Sequence, residues 1–89
     1  MPTPLLVPEL GAGQLPIRVS TWLVDLGDDV LAGDRVVELG LPGMTFDVSS
    51  PASGRLVRIE KYSDAAVHTG DCLGWLEQPE PNSTPKESA

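Results

Sequence analysis

The chain has 89 residues and a mass of 9.4 kDa, room for one small domain. Thirteen Asp/Glu against six Lys/Arg give a net charge of −7, an acidic surface that repels nucleic-acid phosphates and anionic lipid headgroups. No apolar run approaches the roughly 20 residues of a membrane-spanning helix, and the opening MPTPLLVPEL lacks the basic start of an export signal.

Taken in chain order, apolar residues come in short runs bounded by Gly, Asp or Pro: Leu5–Val7, Ile17–Leu26, Arg35–Leu39, Met44–Val48, Arg55–Tyr62 and Cys72–Leu76. The stretches Val19 to Val24 and Val36-Val37-Glu38-Leu39 are rich in β-branched residues and too short for helices. Met44, Phe46 and Val48 alternate with Thr45 and Asp47, the period of a half-buried strand whose inward side begins at Met44. Nine Gly and nine Pro supply the turns, and no segment sustains a helical period. These features predict an all-β fold. The last twelve residues, QPEPNSTPKESA, hold three Pro and no large apolar side chain, so 1–77 is expected to be the folded domain and 78–89 a disordered tail or linker.

An internal repeat organises the strands. Gly27-Asp28-Asp29-Val30-Leu31-Ala32-Gly33-Asp34 realigns, 37 positions later, with Asp64-Ala65-Ala66-Val67-His68-Thr69-Gly70-Asp71. Gly27 and Asp64 are both residue types that accept positive φ, so each copy predicts a tight turn, a brief extended touch at Val30 or Val67, and a second turn. The flanks agree, with Val19 matching Leu56, Trp22 matching Ile59 and Leu39 matching Leu76. Two such halves facing each other make a closed sandwich with pseudo-twofold symmetry.

Residues that carry chemistry are sparse. A lone cysteine, Cys72, cannot form an internal disulfide, which together with the acidic charge fits a cytoplasmic setting. His68 is the single histidine, and His68 with Cys72 makes neither a convincing nucleophile–base pair nor the three or four ligands that zinc requires. Asp28, Asp29 and Asp34 surround one turn without the spacing of a calcium loop. Gly11-Ala12-Gly13 precedes Pro16 and no helix former, so it signals a loop rather than a dinucleotide site. No catalytic residue and no metal site is predicted, and the chain is not expected to be an enzyme.

Several motifs nevertheless stand in a familiar order. Val7-Pro8-Glu9-Leu10-Gly11, Trp22-Leu23-Val24, Gly27-Asp28-Asp29-Val30, Ala32-Gly33-Asp34, Ser50-Pro51-Ala52-Ser53-Gly54 and Val67-x-x-Gly70-Asp71 resemble a lipoyl domain of the biotinyl/lipoyl family, without a gap from about Leu5 to Glu77. The resemblance implies two four-stranded antiparallel sheets in a flattened sandwich. It also implies an attachment lysine at the hairpin tip between the halves, commonly in an Asp-Lys-Ala setting eight residues before the proline. Eight residues before Pro51 stands Gly43, flanked by Pro42 and Met44.

Lys61 and Lys86 are the only lysines, Lys61 near the end of a predicted strand and Lys86 in the tail. Pro42-Gly43 suits the centre of a type II turn, because proline presets φ near −65° and glycine accepts positive φ. Leu41 and Met44, on either side, are expected either to fold onto the sandwich or to form an apolar knob with Pro42 and Gly43 that contacts a partner. What the resemblance implies for function is an unmodified lipoyl-like domain, a monomeric, non-enzymatic interaction module expected to carry no cofactor. Its partner would be a protein, associated with a 2-oxo acid dehydrogenase complex. The alternative is a working lipoyl carrier domain of a dihydrolipoamide acyltransferase, modified at an unconventional lysine or altered at position 43.

Overall fold

The computed structural model describes residues 2–78; the expected tail, from Pro79 on, lies outside the described residues. Eight strands follow one another: β1 (Pro2–Leu6), β2 (Ile17–Trp22), β3 (Asp29–Val30), β4 (Arg35–Leu41), β5 (Met44–Ser49), β6 (Gly54–Ile59), β7 (Ala66–Val67) and β8 (Cys72–Glu77). They form two four-stranded antiparallel sheets, ordered β1-β8-β6-β3 and β5-β4-β2-β7. Each sheet therefore takes strands from both halves of the chain, which interlocks the two copies of the repeat. No helix occurs among the described residues.

The 37-residue period is visible in the hydrogen bonds. The Gly27 N–H donates to the Leu56 carbonyl at 2.8 Å, and the Asp64 N–H to the Val19 carbonyl at 2.7 Å. The Leu23 N–H donates to Val36 O and the Glu60 N–H to Leu73 O, both at 2.8 Å. The predicted left-handed turn residues are as expected: φ is +91° at Gly27 and +75° at Asp64, the one non-glycine residue with positive φ among those described. A short polar side chain makes that conformation tolerable for aspartate. Both copies also bulge at matching places, β2 between Val19 and Thr21 and β6 between Leu56 and Arg58.

Between the sheets lies one core, in which Val19, Val36, Val37, Leu39, Leu56, Leu73 and Leu76 are wholly buried. Val19 with Leu56, Val36 with Leu73 and Leu39 with Leu76 are repeat mates, so the symmetry extends into the packing. One place breaks it by size. Trp22 stands where its mate is Ile59, and Gly74 stands where its mate is Val37. A Cβ built on Gly74 would lie 3.1 Å from Trp22 Cη2 and 2.6 Å from the Arg58 carbonyl oxygen. The large ring of one half thus occupies the room that the glycine of the other half leaves. Trp22 Nε1 donates to the Lys61 carbonyl at 2.8 Å, which satisfies the polar edge of that ring.

Two expectations need correction. The Ile17–Leu26 and Arg55–Tyr62 runs end as strands at Trp22 and Ile59; Leu23 and Glu60 each make one last hydrogen bond to the paired strand, to Val36 and Leu73, and the chain then turns away. Lys61 therefore lies in the turn after β6, not on a strand. The second correction concerns Met44 and Phe46. Pairing of Leu41 with Met44, Leu39 with Phe46 and Val37 with Val48 puts all three β5 residues on the core side. Only Val48 is buried; Met44 and Phe46 are 61% and 42% exposed. β5 is an outer strand of its sheet, and the facing sheet ends at β1 without covering these two side chains.

Candidate functional site

The hairpin joining β4 to β5 turns on two residues, Pro42 and Gly43, closed by the Leu41–Met44 pair. Gly43 has φ +79°, the value of the third residue of a type II turn. A Cβ added there would meet nothing within 4 Å, so space is not what restricts this position. The restriction is the backbone: positive φ costs an ordinary L-residue roughly 1 kcal/mol or more. Pro42, Gly43 and Met44 are exposed, while Leu41 is half-buried and packs on the core. The two residues expected to behave alike thus separate: Leu41 folds onto the sandwich and Met44 projects from it.

Beside the tip runs a shallow cleft of about 340 Å³, lined in part by Pro16, Arg18, Leu41, Pro42 and Asp64. Arg18 lines it, one guanidinium nitrogen donating to the Asp64 carbonyl at 2.9 Å. This bond ties the β6–β7 turn to β2 next to the hairpin. Lys61 is elsewhere. Its carbonyl is held by Trp22, and Trp22 pairs with Val37, four residues down β4 from Leu41. At strand rise, four residues are roughly 13 Å.

Asp34, Asp71 and Asp28 act as turn formers. The Asp34 carboxylate accepts from the Leu31 N–H at 2.9 Å, and the Asp71 carboxylate from the His68 N–H at 2.8 Å, the same turn at repeat-mate positions. Asp28 does likewise for the Asp25 N–H at 2.8 Å. Asp29 is paired with Arg55 at 3.1 Å. The His68 side chain is exposed and stands 3.7 Å from Asp71. The Cys72 thiol donates to the Gly74 carbonyl at 3.4 Å, and burial pushes its pKa up, which makes it a poor nucleophile at neutral pH. Gly13 lines a loop cleft with Leu15 and Pro16, and no helix follows it. Among the described residues, no group of three or more His, Cys, Asp or Glu is placed to hold a metal ion.

A second surface feature was not anticipated from the sequence. Between the outer strands β1 and β5 runs a groove of about 530 Å³ with mostly apolar walls, including Pro4, Leu6 and Pro8 on one side and Phe46 and Val48 on the other. The alternation in Met44–Val48 was the available signal, but alternation names a face and not what covers it.

Comparison with known proteins agrees with this architecture. The biotin/lipoyl family model, described as "Biotin-requiring enzyme", matches residues 3–76. The chain belongs to that family, whose isolated domain is a carrier rather than a catalyst. It is 36% identical over 67 residues to the dihydrolipoyllysine-residue acetyltransferase component of the pyruvate dehydrogenase complex of Mycobacterium bovis, covering 75% of this chain and 12% of that protein. It is 32% identical over 77 residues to the dihydrolipoyllysine-residue succinyltransferase component of the 2-oxoglutarate dehydrogenase complex of Bartonella vinsonii subsp. berkhoffii, covering 86% of this chain and 19% of that protein. Among solved structures, a single-chain, multi-domain long-chain acyl-CoA carboxylase superposes with a TM-score of 0.71 at 25% identity, over 91% of this chain and 7% of the other. The chain thus spans a small part of the length of these relatives.

Proposed function

We propose that this chain is a lipoyl-like domain that carries no lipoyl group and works through protein contacts, in or beside a 2-oxo acid dehydrogenase complex. The observation that carries the reading is the composition of the hairpin tip. Attachment of lipoate or biotin forms an amide and needs a primary amine, and Gly43, at the position eight before Pro51, has no side chain. The tip therefore does not fit the group that the family implies. Its geometry supports the same view, since φ +79° is a glycine conformation and not one that a lysine adopts at ease. On this reading residues 1–77 are the domain and 78–89 a tail or linker, with Pro42, Gly43 and Met44 as an exposed contact surface seated on Leu41.

The names of the curated relatives favour the competing reading, a working carrier, because both are dihydrolipoyllysine components. Under that reading either position 43 is altered or Lys61 serves. Its backbone is fixed by Trp22 alongside the middle of the sheet, far from a tip that reaches freely into solvent. One experiment separates the two. After co-expression with a lipoate ligase in the presence of lipoate, intact-mass analysis is expected to show the unmodified chain. The variant carrying Pro42→Asp and Gly43→Lys, which restores the motif, is expected to gain one lipoyl group. A lipoyl adduct on the unaltered chain overturns the proposal.

A further inference from the structure

Strands β1 and β5 hold the same outer place in the two sheets, and they differ in how their free edges are finished. β1 has prolines at positions 2 and 4, which remove backbone donors and blunt the edge. β5, Met44-Thr45-Phe46-Asp47-Val48-Ser49, has neither proline nor lysine and pairs with β4 alone. A two-residue hairpin loop closes on a hydrogen-bonded pair, so Leu41–Met44, Leu39–Phe46 and Val37–Val48 exchange bonds across β4. The N–H and C=O groups of Thr45, Asp47 and Ser49 then point away from the sheet. On the core side of that edge Met44 and Phe46 stand uncovered, and Phe46 lines the groove whose far wall is Leu6 and Pro8.

We infer that the β5 edge accepts an extended segment of a basic partner protein as a fifth strand, with aliphatic side chains entering the groove and a Lys or Arg facing Asp47. Backbone pairing supplies the affinity in this mode and alternate side chains the specificity. The aliphatic requirement follows from Phe46, Val48, Leu6 and Pro8, and a groove of about 530 Å³ is within the range that takes several such groups. The basic requirement follows from the other face. Asp47 lies directly opposite Glu38, a like-charge cross-strand pair that is unfavourable as it stands. Arg35 approaches Asp47 only to 3.9 Å and is itself mostly exposed.

The same charges argue against a second copy as the occupant. Antiparallel pairing of β5 with itself through Thr45, Asp47 and Ser49 sets Asp47 against Asp47, and each body before Gln78 has eleven acidic against five basic residues. This inference does not depend on whether the hairpin tip is modified, so it can fail while the proposed function stands.

The test is a titration of the ¹⁵N-labelled full chain with a capped eight-residue peptide in which valine alternates with lysine and threonine. A counterpart with glutamate for lysine serves as control. The first peptide is expected to shift the amides of Thr45, Asp47 and Ser49, to slow their exchange with water and to perturb Leu6. Thr45→Pro removes one outward donor at an edge position and is expected to weaken binding at least about tenfold. Asp47→Asn is expected to weaken it about two- to fivefold, and Asp47→Lys to transfer the preference to the glutamate peptide. The inference is overturned if the peptides shift residues away from β5, bind alike whatever their charge, or bind Thr45→Pro and Asp47→Asn as tightly as the unaltered chain. Concentration-dependent protection of the β5 amides without peptide also overturns it, since a second copy would then cover the edge.

Discussion

The two halves of this sandwich share a backbone but only some of their side chains. Gly27 and Asp64 take the same left-handed turn, and Asp34 and Asp71 accept the same hydrogen bond from residues three places earlier. Trp22 and Ile59, or Val37 and Gly74, are mates that differ in size, and β1 with its prolines and β5 without them hold matching places in the two sheets but differ in character. The lesson is that turn chemistry carries the repeat, whereas packing is solved once for the whole molecule. A ring too large for its own half fits because the other half gives up a side chain.

That comparison can be tested by treating mates as paired probes. The largest effect is expected in the core. Leu39→Ala and Leu76→Ala, both wholly buried, should each lose about 2–5 kcal/mol in urea denaturation, and to a similar extent. A difference well above about 1 kcal/mol between them would mean that one half dominates the core. Next comes the asymmetric site. Gly74→Ala, which sets a methyl against the Arg58 carbonyl and the Trp22 ring, should cost about 2–3 kcal/mol and shift Trp22 fluorescence.

Smaller effects are expected in the turns. Asp34→Ala and Asp71→Ala each remove one side-chain acceptor, and thermal denaturation should show about 1 kcal/mol lost for each. The smallest change should come from Asp64→Gly, which makes the second copy like the first. Relief of positive φ opposes the greater flexibility of the unfolded chain, so its net effect should stay within about 1 kcal/mol.

Much of the fold was legible from local chemistry. The spacing of Val30 and Val67 within the repeat announced the two short strands β3 and β7, and Pro42-Gly43 announced the hairpin tip. These are decisions that a few neighbouring residues make among themselves. Strand ends were less legible: Leu23 and Tyr62 are apolar, yet neither continues its strand, because the chain turns, at Asp25–Asp28 and at Tyr62–Ala65, before or where the apolar run ends. The paired bulges in β2 and β6 had no signal in residue type at all.

By itself the sequence determined the turns, the pairing of halves and the absence of an amine at the tip, because each depends on the residues in place and their immediate neighbours. Tertiary structure decided what lies over each face. Met44, Phe46 and Val48 share one side of one strand, and only Val48 is covered, since a period-two pattern orients side chains but cannot say where the opposite sheet ends. It also decided that β5 would be an outer strand with an unblunted edge, because edge status depends on the order of all eight strands.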